Sequence, residues 1–237
     1  MDGNHRYARV RGLQVREGHE RGFANAANII FALRCLGVPA ISFFMFGVDN
    51  FKRDPTEIAD IMDIIKTQVG EWVRPGGIAH KLQVRVRLCG EREFLDPELL
   101  EVLDYAMEST EHYTGGTVNL CIAYGGRREI VHGIRSTIYN KTPAPLAYSI
   151  TQVTDGDEPD NSTEQTGTIP PATITYCPEM ARKLFSYRLH TQGDPPPDII
   201  VRTLGETRLS DYMLCNAVRI ITCTSLRAIG RRFGFGT

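Results

Sequence analysis

The fold is decided by residues 40–72, AISFFMFGVDNFKRDPTEIADIMDIIKTQVGEW. The stretch opens with the aromatic-rich apolar run Ala40–Phe46, which predicts a buried strand. Asp54, Pro55 and Glu57 then supply an N-cap, a proline for the first turn and an acidic residue, a combination that favours the start of a helix. This helix is expected to continue to the end of the stretch. Its inner face carries Ile58, Ile61, Met62 and Ile65.

The same alternation of strand and helix recurs along the chain. Further strands are predicted at residues 82–88, 117–123 and 199–201, and further helices at residues 17–36, 96–112 and 128–139. Strands that alternate with helices at this spacing indicate a mostly parallel sheet flanked by helices. We therefore expect one α/β domain over residues 1–237. Residues 140–172 are rich in proline and acidic side chains, which predicts a mobile surface insertion.

Composition excludes several functional classes. The chain has 237 residues, enough to bury a core without disulfides, and a formal net charge of −1, which argues against a general nucleic-acid binder. The longest dense apolar run, Ile41–Val48, is too short to span a bilayer as a helix. The six cysteines form no CxxC pair, and we expect them to be reduced thiols in a cytosolic protein. Neither a signal peptide nor a transit peptide is expected.

Two polar clusters precede the first predicted strand. Residues 2–9 combine a carboxylate, a flexible turn and cationic side chains. A loop of this kind that leads toward a helix can hold an anion with its backbone N–H groups and arginines, while the carboxylate holds Mg²⁺. Residues 17–22 place His19 at the start of a long helix, where it could face an anion. A frayed terminus and a purely structural histidine are the alternatives.

Two more clusters follow predicted strands. Ligands in open α/β sheets bind at the carboxyl ends of strands, and residues 46–53 stand at such a place. Arg202, Arg208 and Ser210 come after the strand at residues 199–201, and two guanidinium groups with a hydroxyl can clamp a diphosphate. An ordinary polar loop and a surface salt-bridge cluster with Glu206 and Asp211 are the alternatives.

Taken together, the four clusters resemble the cis-prenyltransferase family, also known as the undecaprenyl diphosphate synthase family. Within it, the match is closest to the eukaryotic dehydrodolichyl diphosphate synthases. The motifs in question are DGNxRYA from Asp2, EGHExGF from Glu17, DNFKR from Asp49, and RTxGExRLSDYML from Arg202. The runs Asn119–Arg127 and Arg231–Gly234 also resemble motifs of the family. The resemblance covers nearly the whole chain and implies the cis-prenyltransferase fold.

The resemblance implies an enzyme that condenses isopentenyl diphosphate with an allylic, farnesyl-type diphosphate and makes each new double bond cis. Asp2 would hold Mg²⁺, and Asp2, Asn4 and Asn50 are the catalytic candidates. The allylic diphosphate would be bound by Gly3, Asn4, Arg6, His19 and Arg53, and the isopentenyl diphosphate by Arg202, Arg208 and Ser210. Apolar residues of the strand at 40–46 and the helix at 56–72 would line a tunnel for the growing chain.

The resemblance also implies partners and a location. Arg232 matches a motif that reaches across a dimer interface, which favours a homodimer, although some relatives instead use an accessory subunit. We expect synthesis of a polyprenyl diphosphate for dolichol, by a peripheral protein on the cytoplasmic face of the endoplasmic reticulum membrane or in the cytoplasm. No nucleic-acid partner is expected.

The sequence departs from the family pattern at both ends. Family members have an apolar strand before the DGN motif, so we expect a fold that is missing its first strand because the start of the chain is truncated. They also carry a glutamate that helps bind Mg²⁺ near the position of Ile221, where this chain has no carboxylate. These departures keep two alternatives open: a catalytically impaired homologue or accessory subunit, and a divergent enzyme that makes a short or cyclised terpenoid diphosphate.

Overall fold

The computed structural model describes residues 3–139, 189–202, 208–214 and 221–224. The helices in these residues are α1 (Asn4–Arg11), α2 (Val15–Cys35), α3 (Pro55–Val73), α4 (Ile78–Leu82), α5 (Pro97–Thr110) and α6 (Gly126–Tyr139). The strands are β1 (Ala40–Gly47), β2 (Val84–Cys89), β3 (Gly116–Tyr124), β4 (Ile199–Arg202) and β5 (Ile221–Thr224). Two short 3₁₀ turns cover Val48–Lys52 and Arg92–Phe94. The predicted insertion at residues 140–172 lies outside the described residues.

The strands form two parallel sheets. The main sheet has the order β1-β3-β2, with β3 paired in parallel to both neighbours. Strands β4 and β5 form a second parallel pair, in which Arg202 lies opposite Thr224. The prediction of an α/β fold with a parallel sheet and flanking helices is therefore confirmed. Because parallel strands end at the same edge, β1 and β3 deliver their following loops to one side of the molecule.

The helices begin where their capping residues predict. The Asp54 carboxylate accepts a hydrogen bond from the Thr56 backbone N–H at 2.9 Å, and Asp96 accepts one from the Leu99 N–H at 2.9 Å. Each carboxylate satisfies a backbone donor that has no partner within its helix. At the start of α2, the Gln14 N–H donates to the Glu17 carboxylate at 3.0 Å.

Three elements differ from the sequence prediction. Helix α1 was not predicted, because its eight residues are mostly polar and only Ala8 is buried. Leu82 was expected to open a strand, but it ends the short helix α4, and the left-handed φ of 52° at Gln83 separates that helix from β2. Strand β5 was also missed. Its four residues are too few for a period to be recognised.

The main hydrophobic core lies between the three-stranded sheet and the helices α2, α3 and α5. Helix α3 buries Ile61, Met62, Ile64, Ile65, Val69, Trp72 and Val73. Strand β3 is buried at every position from Val118 to Tyr124. Such a central strand is rigid, so the loops at its end are held on a fixed base. Among the described residues, no helix is long and apolar enough to cross a membrane.

Candidate active site

The first group of predicted site residues meets where α1 crosses α2. The Asn4 amide Nδ2 lies 3.2 Å from His19 Nδ1, so the first two motifs touch although they are fifteen positions apart. Gly18 makes this approach possible: a Cβ at that position would lie 2.7 Å from the Asn4 carbonyl oxygen and 2.9 Å from the Ala8 Cβ. The glycine is therefore needed because the backbone of α1 lies against α2.

Gly3 and Arg6 complete this end of α1. Gly3 is the N-cap and has φ 94°, a conformation that favours glycine. Its carbonyl accepts the Tyr7 N–H at 2.8 Å, which starts the helix. Arg6 is exposed, and within the described part of the chain it forms no ion pair, so its guanidinium can reach a ligand.

The loop after β1 is bound to α1 through one carboxylate. Arg53 donates to the Asn50 amide oxygen at 3.4 Å and to Glu57 Oε1 at 2.8 Å. His5 Nε2 lies 2.9 Å from the same Oε1. Partial burial acts to raise the pKa of Glu57, but the hydrogen bonds from Arg53 and His5 outweigh it and lower that pKa. Glu57 is therefore ionised at neutral pH and holds two cationic or donor groups in place.

We call this group the N-terminal cluster. It consists of Gly3, Asn4, His5, Arg6, His19, Asn50, Arg53 and Glu57. Asn4, His19, Arg53 and Asn50 are thus joined by contacts through His5 and Glu57, and Gly3 and Arg6 adjoin them in sequence on α1. His5 and Glu57 were missed as site residues. His5 could have been found from the sequence, because it directly follows Asn4 in the first motif. Glu57 was interpreted only as part of the start of α3.

His19 is buried, with 8% of its surface exposed. Burial lowers its pKa, and the nearby His5 lowers it further, so the ring is neutral at pH 7. With the Asn4 amide donating to Nδ1, the proton of the neutral ring sits on Nε2. Within the described residues, Nε2 has no hydrogen-bond partner. A buried donor without a partner is costly, and an oxygen atom of a bound anion would satisfy it.

The second group of predicted residues meets after β4. One guanidinium nitrogen of Arg202 donates to the Ser210 Oγ at 2.8 Å and also to the Arg208 carbonyl oxygen. We call Arg202, Arg208 and Ser210 the C-terminal clamp. Arg208 and Ser210 are exposed. Asp211, offered above as an alternative salt-bridge partner, bonds to the start of α6, whereas Glu206 lies outside the described residues.

The loop of the C-terminal clamp is fastened to the start of α6. The Gly126 N–H donates to the Asp211 carbonyl at 2.6 Å, and the Arg127 N–H donates to the Asp211 carboxylate at 3.2 Å. These bonds satisfy backbone donors at the N-terminus of the helix. Ser210 and Asp211 have φ values of 50° and 60°, so the loop turns tightly here. Sequence reasoning missed this role of Asp211.

An aromatic contact fixes the same loop to the main sheet. The Tyr212 hydroxyl donates to the Ser42 carbonyl of β1 at 3.1 Å. The Tyr212 ring lies edge-on to Phe44 at 5.2 Å and to Tyr124 at 5.9 Å, measured between ring centroids. Aromatic pairs at such distances are favourable beyond their buried area. Tyr124 is the last residue of β3, so this contact, together with the bond from the Gly126 N–H to Asp211, places the C-terminal clamp beside the end of that strand.

Both groups lie on the edge where β1 and β3 end. The hydrogen bond from Lys52 lowers the pKa of Asp49, and the positive charges of Arg127 and Arg128 lower it further. The 3₁₀ turn that carries Asn50 directly follows β1, and α6, where Arg127 lies 3.7 Å from the Asp211 carboxylate, directly follows β3. Asp2 and Arg232, also predicted as site residues, lie outside the described residues.

A buried polar pair supports the segment that leads to β4. Glu129 has 1% of its surface exposed; the Tyr124 hydroxyl donates to Oε2, and the His190 N–H donates to Oε1 at 3.1 Å. Burial raises the pKa of Glu129. On the other side, Arg87 donates to the carbonyls of His190 at 2.9 Å and Gln192 at 2.7 Å. None of these residues was predicted as a site residue, although Tyr124 lies in the Asn119–Arg127 run that resembles a family motif.

Comparison with known proteins adds to this geometry. A family model for undecaprenyl diphosphate synthase matches residues 1–226. A dehydrodolichyl diphosphate synthase complex subunit of Schizosaccharomyces pombe is 31% identical over 214 residues, which cover 90% of this chain and 70% of that protein. An isoprenyl transferase of Thermus thermophilus is 32% identical over 214 residues, covering 90% and 72% of the two chains.

The fold is also similar to solved structures. The crystal structure of lavandulyl diphosphate synthase from Lavandula x intermedia superposes with a TM-score of 0.70, covers 95% of this chain and 85% of that one, and is 24% identical. A probable undecaprenyl diphosphate synthase from Campylobacter jejuni gives a TM-score of 0.58 at 22% identity, covering 83% and 78% of the two chains. At such identities, these similarities establish the fold.

Proposed function

We propose, because this chain belongs to the undecaprenyl diphosphate synthase family of prenyltransferases, that it condenses isopentenyl diphosphate with an allylic diphosphate of the farnesyl type. The product would be a cis-polyprenyl diphosphate. One observation carries the proposal. Two cationic groups from distant parts of the sequence, the N-terminal cluster and the C-terminal clamp, lie on the same edge of a parallel sheet, where two anionic substrates would have to be brought together.

In this reaction, a carbon–oxygen bond to the allylic diphosphate breaks and a carbon–carbon bond to the isopentenyl unit forms. The released diphosphate carries away the electron pair, and the isopentenyl unit loses a proton to form the new double bond. Charge therefore develops on the leaving diphosphate, and fixed hydrogen-bond donors aimed at it lower the barrier. Asn4, Arg6, His19 and Arg53 are the donors that we assign to this task, with Asn50 as the residue that orients Arg53.

The C-terminal clamp is assigned to the isopentenyl diphosphate. A guanidinium binds diphosphate oxygens through several N–H groups at once, and the exposed Ser210 hydroxyl adds a further donor. In the structure Arg202 donates hydrogen bonds to the Ser210 Oγ and the Arg208 carbonyl, so these three residues already lie together. Substrate binding would then only have to reorient donors that are already close to one another.

Mg²⁺ is the metal that we assign to the allylic site. The donor set fits this ion, since the carboxylate of Asp2 is a hard oxygen ligand of the type that Mg²⁺ prefers, and a diphosphate supplies more. When bound, Mg²⁺ neutralises charge on the leaving diphosphate. The residues of the chain keep the substrate oriented through the hydrogen bonds described above.

The prenyl chain would grow along β1 and α3. Both elements contribute to one continuous apolar cluster, which includes Phe43, Met45, Ile61 and Ile65. Burying each CH₂ of a prenyl tail gains about 0.8 kcal/mol, so an apolar path favours long products. We propose dolichol synthesis at the cytoplasmic face of the endoplasmic reticulum as the biological role, with a homodimer or an accessory subunit. The support for the dolichol role and for a partner subunit is the name of the Schizosaccharomyces pombe relative, a dehydrodolichyl diphosphate synthase complex subunit.

The test is direct. Purified protein is incubated with farnesyl diphosphate, labelled isopentenyl diphosphate and Mg²⁺, and the extracted products are separated by chain length. We expect a ladder of polyprenyl products that disappears when Mg²⁺ is chelated. A product of one or two added units would point to a short-chain enzyme. The absence of labelled product, both alone and with a candidate accessory subunit, would refute catalysis by this chain.

A second function has a specific observation in its favour. Strand β5 ends opposite Arg202, and its residues Ile221, Thr222, Cys223 and Thr224 include no carboxylate. The family places a metal-binding glutamate near this position, so the site has one oxygen ligand fewer. A catalytically impaired homologue or accessory subunit would bind diphosphates without turnover. Calorimetry with farnesyl diphosphate, compared with the product assay, separates the two functions.

A further inference from the structure

Two histidines and a glutamate of the N-terminal cluster face one another across three helices. His5 lies on α1, His19 on α2 and Glu57 on α3, and one ligand atom from each lies within 4.8 Å of the others. The rings of His5 and His19 are 5.2 Å apart and nearly perpendicular. We propose that these three residues form a binding site for a divalent transition metal ion of the Zn²⁺ class, distinct in its donors from the Mg²⁺ site assigned above.

The donor set favours such an ion over Mg²⁺. Two imidazole nitrogens and one carboxylate oxygen are a set used by zinc enzymes, in which a fourth position stays open for a further ligand. Imidazole nitrogen suits Zn²⁺, Co²⁺ and Fe²⁺, whereas Mg²⁺ prefers oxygen. The site therefore selects for the softer ions by its chemistry.

The buried ring nitrogen of His19 also fits a metal site. His19 Nε2 is buried and, among the described residues, has no partner. A metal ion bound at Nε2 would supply the partner that this buried nitrogen lacks.

The geometry requires only small movements. In a tetrahedral zinc site with bonds of about 2.0 Å, ligand atoms are about 3.3 Å apart. His5 Nε2 and Glu57 Oε1 are 2.9 Å apart, so that pair is already close to the required spacing. The side chain of His5 is 48% exposed, which leaves it free to turn toward His19. Arg53 also donates to Oε1, at 2.8 Å, and Glu57 has a second carboxylate oxygen to which Arg53 can turn while Oε1 binds the metal.

Asn4 could hold the His19 ring in place. Metal-bound histidines usually use their other ring nitrogen for a hydrogen bond that fixes the ring. Asn4 lies 3.2 Å from His19 Nδ1. Its amide can present either nitrogen or oxygen, so a turn of the amide would let the oxygen accept the Nδ1–H when the metal is bound at the other nitrogen.

The test uses Co²⁺ as a spectroscopic probe of the full-length protein, prepared without a histidine tag. Titration should give visible absorption bands of tetrahedral cobalt that saturate at one ion per chain and are displaced by Zn²⁺. His5→Ala and Glu57→Gln should each weaken binding by about tenfold or more, as removal of metal-site residues does. His80→Ala, which removes an exposed histidine outside the cluster, should bind as the wild type does.

Several results would overturn the proposal. One is the lack of a saturable visible band in the wild type. Another is a band that is unchanged in His5→Ala, whose exposed side chain can be removed without loss of the fold. A third is a spectrum dominated by a sulfur-to-cobalt charge-transfer band, which would place the ion on cysteine. Circular dichroism of each variant confirms that the fold is retained.

A consequence for catalysis rests on the proposed function. His19 is one of the residues assigned to the allylic diphosphate, so Zn²⁺ should inhibit Mg²⁺-dependent turnover, and His5→Ala should be less sensitive. Cobalt binding without any turnover would support the metal site and refute the proposed function. Turnover without cobalt binding would support the proposed function and refute the metal site. The two proposals can therefore fail separately.

Discussion

The N-terminal cluster and the C-terminal clamp lie on the same edge of the sheet but are built differently. In the N-terminal cluster, side chains of three helices bind one another, as when His5 and Arg53 share one oxygen of Glu57. In the C-terminal clamp, backbone groups take a larger part: Arg202 donates to the Arg208 carbonyl as well as to the Ser210 Oγ, and the adjoining Asp211 carbonyl accepts from the Gly126 N–H. The comparison suggests that substrate binding can be tuned by side chains in the first region and depends on loop shape in the second.

The largest expected effect is that of Arg202→Gln. The guanidinium is the group around which the C-terminal clamp is assembled, so its loss should lower kcat/KM for isopentenyl diphosphate about 100- to 1,000-fold. Binding of the allylic diphosphate, measured by calorimetry, should change little. Arg85→Gln, an exposed arginine on β2, is the matched control. An equal loss of affinity for both substrates would show that the two regions are not separate binding sites.

Arg53→Gln tests the separation of the two sites from the side of the N-terminal cluster. Arg53 donates to Asn50 and Glu57, and we assign it to the allylic diphosphate. Loss of a charge-assisted hydrogen bond of about 1.5–3 kcal/mol corresponds to an affinity for farnesyl diphosphate that is about 10- to 100-fold weaker. The KM for isopentenyl diphosphate should remain close to the wild-type value. A rise in KM for isopentenyl diphosphate, with unchanged affinity for farnesyl diphosphate, would reverse our assignment of the two sites.

Much of this arrangement could be predicted from the sequence. The strand at 40–46 and the helix after Asp54 were predicted because an apolar run and a helix cap act locally, and the structure confirms both. Motif resemblance then grouped Asn4 with His19. The hydrogen bond from the Gly126 N–H to the Asp211 carbonyl could not be predicted, because its two residues are 85 positions apart and no local sequence pattern links them. Glu57 was missed as a site residue because its position was already explained by the helix start.

Gly18→Ala should have a smaller effect, on stability. A Cβ at Gly18 would meet the Asn4 carbonyl at 2.7 Å, and because that atom is backbone, α1 would have to shift away from α2. We expect a loss of about 1–3 kcal/mol in the free energy of unfolding, as for other overpacked sites. Gly70→Ala in α3 is the matched control. Its Cβ would meet open space, so it should stabilise the protein by about 0.5–1 kcal/mol.

Thermal and denaturant unfolding of both variants measure these changes. If Gly18→Ala is as stable as Gly70→Ala, the close packing of α1 on α2 is not what holds the N-terminal cluster. If instead Gly18→Ala is destabilised, its affinity for farnesyl diphosphate should fall as well, because Asn4 would move with α1. That coupling between stability and affinity is expected at α1 and not in α3.

The smallest expected effect concerns Glu129, which holds the segment before the C-terminal clamp. Its pKa in the folded protein is raised by burial above the ordinary value of 4.5, so the folded state binds this proton more tightly than the unfolded state does. The resulting contribution to stability is full below pH 4.5 and is lost as the pH rises through the folded-state pKa. In Glu129→Gln this part of the pH dependence should be absent.

The measurement is the denaturant midpoint as a function of pH, for the wild type and for Glu129→Gln. The difference between their slopes should be confined to the range above pH 4.5. Tyr124→Phe is the control, because it removes the hydroxyl that donates to Glu129 while it leaves the carboxyl group to titrate. Parallel curves for wild type and Glu129→Gln would show that this carboxyl does not couple protonation to folding.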